Sequence, residues 1–150
     1  MKLEHLVTYH ADLKPGVVVG PGPHGDRRVV DVIGGTFDGP RLRGTLLPSG
    51  ADWVTVGADG VVRLDVRATF LTDDGAHIYV QYYGVSITSD VAREKRARGE
   101  ATEYGDIYFM TAPRFETGDP RYAWMNAIIA VGEGRSGPNW VEYRVYQVVN

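Results

Sequence analysis

The chain has no cysteine, which excludes a disulfide framework, a thiolate nucleophile and a zinc knuckle. Histidine is scarce: His5, His10, His24 and His77 form no H-E-x-x-H motif or comparable ligand spacing, so no metal is expected. Positive charge is not in excess. A net charge of -3 and a pI near 5.8 argue against a phosphate-tracking surface, so nucleic acid is not an expected partner. Long apolar runs are missing, and Glu4 interrupts what would have to be the apolar region of a signal peptide. A cytoplasmic protein without a membrane segment is the expectation. No G-x-S-x-G elbow occurs, and without Cys the candidate nucleophiles reduce to ordinary Ser and Thr. What is present is a chain of 150 residues, 43% hydrophobic and 23% charged. That composition fits one globular domain over 1–150, large enough to bury about 70% of its unfolded surface.

One stretch tests the exclusion of cofactors. Residues 17–28, VVVGPGPHGDRR, place Gly20, Gly22 and Gly25 at the G-x-G-x-x-G spacing after an apolar run. A dinucleotide cradle requires the last glycine to open a helix, whose amides and dipole hold the pyrophosphate. Here Gly25 leads into Arg27-Arg28-Val29-Val30-Asp31-Val32-Ile33, which is β-branched and ends at Gly34-Gly35. Pro21 and Pro23 supply no amide donors. The stretch reads as a Pro/Gly-stiffened loop between strands, and no cofactor is expected.

The rest of the chain consists of short β-rich runs broken by Gly, Asp and Pro. Asp38-Gly39, Asp59-Gly60 and Asp74-Gly75 read as tight turns, because both residue types tolerate positive φ. Strands are expected near 2–11, 27–33, 41–47, 51–57, 60–71, 76–87, 106–111, 122–131 and 140–149. This spacing predicts an all-β fold, a single antiparallel β-barrel of about eight to ten strands with at most one or two short helices. The helix is expected within Asp90–Arg98, rich in helix formers, with Asp90 as cap, basic residues in its last turn and Gly99 to end it. It lacks an apolar stripe and should lie on the surface, as a solvated excursion or as a cover over one barrel end.

Strand periodicity presents mixed faces. In Val61–Phe70 one face carries Arg63, Asp65, Arg67 and Thr69, the other Val62, Leu64, Val66, Ala68 and Phe70. The plain reading turns the polar face to water. Elsewhere His77, Tyr79 and Gln81 oppose Ile78, Val80 and Tyr82, and Tyr122, Trp124 and Asn126 share a face. Faces that mix aromatic bodies with hydrogen-bonding tips also suit a small-molecule pocket. Periodicity does not decide between the two. The adjacent carboxylates Asp73-Asp74 precede a glycine and read as turn formers rather than a glycosidase pair.

The runs Gly34-Gly35-Thr36-Phe37-Asp38-Gly39-Pro40, Leu47-Pro48-Ser49-Gly50-Ala51-Asp52-Trp53, Leu64-Asp65-Val66-Arg67, Thr72-Asp73-Asp74-Gly75, Pro113-Arg114-Phe115-Glu116-Thr117 and Tyr122-Ala123-Trp124-Met125-Asn126 closely resemble the domain of unknown function 3237 family. The match runs in order over nearly the whole chain, with segment 88–105 outside it. The resemblance implies a single-domain antiparallel barrel. It also implies a link to natural-product chemistry, where a fungal type of the family cyclises its substrate without a cofactor by adding a hydroxyl across an alkene.

On that resemblance the polar faces become candidates for the barrel interior. Asp52, Arg67 and Glu116 are then the expected catalytic groups: a carboxylate raised by burial as base, and Arg67 facing developing negative charge. Trp53, Tyr79, Tyr108 and Trp124 are expected as walls, with Asn126 as a further polar point. The expected partner is a small aromatic or polyketide-like metabolite, and homo-oligomerisation stays open. Three functions remain: a cofactor-independent cyclase or isomerase, a lipocalin-like carrier without chemistry, and a structural or interaction protein.

Overall fold

The computed structural model describes residues 1–150. Nine antiparallel strands form one sheet: β1 (Lys2–Leu13), β2 (Val17–Gly22), β3 (Gly25–Asp38), β4 (Arg43–Val56), β5 (Val62–Thr72), β6 (His77–Ile87), β7 (Tyr108–Glu116), β8 (Ala130–Gly137) and β9 (Trp140–Val149). Their order is β1-β9-β8-β7-β6-β5-β4-β3-β2, and β1 also pairs with β3. That pairing closes an eight-stranded barrel and leaves β2 as an extra strand hydrogen-bonded to the first half of β3.

Closure depends on bends. The β3–β4 register shifts between Asp31 and Thr36, across Gly34-Gly35, and the β4–β5 register shifts between Leu46 and Gly50. Bulges of this kind sharpen the local twist and let a 14-residue strand turn a corner. The expected strands 41–47 and 51–57 are therefore one bent strand. Residues 17–22 differ from the expected loop: Val17 and Val18 pair with β3, Val19 sits at a register shift, and Pro21 is tolerated because β2 is an edge. Gly25 opens a strand rather than a helix, so the glycine motif lies in a hairpin.

The expected strand 122–131 is also corrected. Residues Pro120–Ala127 form a 3-10 helix, capped by Asp119 with Pro at its start, and β8 begins only at Ala130. Tyr122 and Met125, three residues apart, share the buried face of that helix. β8 escaped sequence reading because Gly132, Gly134 and Gly137 weaken its β signal. The expected helix is α1 (Asp90–Ala97), but Ser89 rather than Asp90 caps it, its side chain accepting the Ala92 amide at 3.0 Å.

Along β5, Leu64, Val66, Ala68 and Phe70 are buried. The core continues through Leu46, Ile78, Val80, Phe109, Phe115, Val141 and Val145, with Tyr9, Tyr82 and Tyr143 among them. No helix is long and apolar enough to cross a membrane.

Candidate active site

One half of the barrel interior is filled, where Phe37, Phe70 and Tyr9 pack ring on ring. The other half holds a cavity of about 410 Å3. Its walls are Val30, Val32, Val54, Val56, Leu64 and Val66, with Phe109 opposite, and Tyr82 and Tyr143 also face it. Because inward residues alternate along each strand, the pattern Asp52, Val54, Val56 on β4 puts a carboxylate on an otherwise apolar interior face.

Local backbone chemistry fixes Asp52. The β4–β5 ladder pairs Asp52 with Val66 and Thr55 with Arg63, but skips the residues between. The Asp65 amide, freed from the ladder, donates to Asp52 Oδ1 at 3.0 Å. The Trp53 carbonyl accepts instead from Arg27 Nη1 at 2.7 Å. The carboxylate thus completes the sheet with one oxygen. Burial pushes the Asp52 carboxyl up to about 6, against the lowering effect of the Asp65 amide.

Two phenols, Tyr82 and Tyr143, line the cavity with it, and a third, Tyr9, stands behind them. The rings of Tyr82 and Tyr143 meet edge-on with centroids 5.4 Å apart, and Tyr9 lies 5.0 Å from Tyr143 and 6.4 Å from Tyr82. Burial raises all three hydroxyls well above the ordinary tyrosine value, so they stay neutral and can donate. A weak acid near neutrality beside neutral phenol donors, in an apolar enclosure, is equipped for general acid–base chemistry. No three His, Asp or Glu side chains stand together as metal ligands.

Of the residues expected to share the interior, the structure brings only Asp52 to this cavity. Arg67 projects outward, 3.4 Å from Asp65, with its guanidinium 5.1 Å over the Trp53 ring. The alternation that buries Val66 and Ala68 places Arg67 outside. Glu116, Tyr79 and Asn126 border a separate outer groove along β6, β7 and the start of β8. Both Asn126 amide atoms are engaged by the Thr117 backbone, at 2.8 and 3.0 Å. Tyr108 is exposed on β7, and Trp124 lies on the 3-10 helix beneath Arg41, 3.6 Å from its ring centroid. Tyr82, Tyr143 and Arg96 were not anticipated. The available signal was a hydroxyl on an apolar face, Tyr82 in line with Ile78 and Val80.

A family model described as "Protein of unknown function (DUF3237)" matches residues 1–148. The chain belongs to this family. A UPF0311 protein of Rhodopseudomonas palustris is 36% identical over 149 residues, 99% of this chain and 97% of that protein. A crystal structure of a β-barrel-like protein from Acinetobacter baumannii matches with a TM-score of 0.85 and 36% identity, covering 97% of this chain and 94% of that one. A hydroalkoxylation enzyme of Penicillium herquei is 27% identical over 130 residues, 87% of this chain and 72% of that protein. The closed barrel described above is thus a DUF3237 barrel, and one protein similar to this chain is named for hydroalkoxylation.

Proposed function

We propose that the cavity around Asp52 is the active site of a cofactor-independent enzyme that cyclises or isomerises a small aromatic or polyketide-like metabolite. The observation that carries this reading is a half-buried carboxyl raised to about 6, beside Tyr82 and Tyr143, in an apolar cavity of small-molecule size. The Penicillium relative's name points to the reaction, addition of a hydroxyl across an alkene.

The protonated Asp52 carboxyl gives its proton to one alkene carbon. The substrate's own hydroxyl oxygen bonds to the other carbon, and its proton passes to the Asp52 carboxylate. The π bond and the O–H bond are lost, a C–O and a C–H bond form, and the enzyme is regenerated. Tyr82 and Tyr143 donate hydrogen bonds to oxygens whose charge changes along the way. The walls fold the substrate so that hydroxyl and alkene approach, and excluded water cannot compete as nucleophile.

The test uses 2-prenylphenol as probe, without added metal or cofactor, with cyclised ether followed by mass spectrometry. Turnover by the wild type, lost at least 100-fold in Asp52→Asn while probe binding persists, supports the reading. Probe binding without turnover by the wild type supports the carrier alternative and overturns the enzyme.

A further inference from the structure

Four charged side chains line the cavity: Asp52 within it, and Lys14, Arg28 and Arg96. Two of these cations already have carboxylate partners. Lys14 Nζ is 3.7 Å from Asp31, and Arg28 Nη2 is 3.3 Å from Asp26. Arg96 has none.

The contrast holds within its own helix. Arg93 pairs with Asp90, Lys95 with Asp106 at 2.6 Å, and Arg98, just past the helix end, with Glu100 at 2.9 Å. Arg96 alone of the basic residues there makes no ion pair, and its one side-chain hydrogen bond runs to Thr88 Oγ1 at 3.3 Å. Arg96 lines the apolar cavity instead. Partial burial lowers its pKa, with no carboxylate to oppose the shift. The helix that carries it is fastened: Ser89 caps it, Lys95 ties it to Asp106, and Ala92 is fully buried beneath it. The guanidinium therefore stands on a fixed platform. A planar fork of donors at the edge of an apolar cavity suits a carboxylate, which it can bind through two parallel hydrogen bonds.

We propose that Arg96 is the anchor for a carboxylate on the substrate, so that the ligand class is an apolar-bodied carboxylic acid held by its acid group at α1 with its body in the valine-lined cavity. This rests on the reading of the cavity as a small-molecule site and deepens it by naming the substrate class. It does not depend on turnover. Asp52, the one carboxylate lining the cavity, favours the same orientation, since it repels a ligand's anionic end.

The experiment measures binding of 2-naphthoate and its neutral counterpart 2-naphthamide at pH 7.5, by calorimetry, to the full chain and to Arg96→Gln, Arg96→Lys, Arg28→Gln and Asp52→Asn. Circular dichroism melts establish that each variant is folded. The expected result is a preference of tenfold or more for naphthoate in the wild type. It should be abolished in Arg96→Gln, partly kept in Arg96→Lys, kept in Arg28→Gln, and undiminished or larger in Asp52→Asn, where the repelling carboxylate is gone. Wild type that binds neither probe or prefers neither overturns the proposal. So does a preference that survives Arg96→Gln or disappears with Arg28→Gln. A carboxylate preference that depends on Arg96 in a protein that turns over no alkene sustains the anchor and removes only the enzymatic reading.

Discussion

Asp52 Oδ1 accepts the amide hydrogen of Asp65 across the β4–β5 ladder at 3.0 Å, where a backbone carbonyl would ordinarily stand. The bond fixes the carboxylate at a sheet position, so its place in the cavity is set by the backbone. Asparagine at 52 keeps an oxygen to accept that bond and loses the charge. Substitution there separates catalysis from architecture.

The pH dependence of stability follows from the raised carboxyl. Asp52 ionises near the ordinary aspartate value of 3.8 in the unfolded chain and near 6 in the barrel. Between those values the folded state holds the proton more tightly, so stability falls as pH rises from about 4 to about 6. Above about 7 the full penalty of the buried charge is present, on the order of 2–3 kcal/mol. Asp52→Asn should therefore be more stable than the wild type at pH 8 and nearly equal to it at pH 4. Urea melts of both proteins across this range check the sign. A difference that does not change with pH would exclude a raised Asp52.

The tyrosines divide by position. Tyr82 and Tyr143 line the cavity, and Tyr9 stands behind them with its hydroxyl lacking a formed hydrogen bond. Tyr82→Phe and Tyr143→Phe should each lower turnover of the prenylphenol probe by about 100-fold, the low end for loss of a positioned hydrogen-bonding or proton-transferring group. Tyr9→Phe removes a buried hydroxyl without a good partner and should leave stability unchanged or raise it by about 1 kcal/mol. Single-turnover rates and thermal melts on the three variants separate these roles.

Much of this was legible in the sequence, and the reasons it stopped are physical. The Asp-Gly turns and period-two runs identified the antiparallel barrel, because hairpin chemistry is local. Helix α1 was legible from its formers and Gly99. Residues 122–131 read as a strand because Tyr122, Trp124 and Asn126 alternate. Pro120 and the Asp119 cap, which favour a helical turn, carried the stronger local signal. For the site, Asp52 is placed inside by the family pattern, and its phase with Val54 and Val56 on β4 is the local signal that supports it. Arg67 was drawn inward only by the family pattern, whereas its own strand already placed it opposite Val66. The juxtaposition of Arg96 with the cavity could not be read, since it depends on how a helix docks over strands distant in sequence.

Closure of the barrel makes a sharp demand on one glycine. Gly35 pairs with Ala11 at the β1–β3 seam, has φ of +141°, and a Cβ there would lie 2.0 Å from the His10 carbonyl oxygen. The neighbour is backbone and cannot swing aside. Gly35→Ala should destabilise the protein by about 3 kcal/mol or more, combining left-handed strain with a clash at the seam. Gly60, φ +75° with nothing near its absent Cβ, isolates the conformational part, and Gly60→Ala should lose about 1 kcal/mol. Chemical denaturation of the two variants measures the difference.

The outer residues provide the last prediction, because they distinguish a site in the cavity from one built on the polar strand faces. Arg67 pairs with Asp65 at 3.4 Å while 40% of its side chain is exposed. Such pairs contribute about 0–1 kcal/mol, screened further by salt. Arg67→Ala should accordingly change stability by less than about 1 kcal/mol and leave turnover of the probe within about twofold, since the guanidinium is outside the cavity. Asn126 differs in kind. Its side chain closes a ring with both backbone groups of Thr117, holding the end of β7 to the 3-10 helix. Asn126→Ala should destabilise by about 1–2 kcal/mol through two lost hydrogen bonds, while the rate per folded molecule stays near the wild-type value. If Arg67→Ala instead abolishes turnover with its melting curve unchanged, chemistry resides on the outer face and the assignment to Asp52 fails.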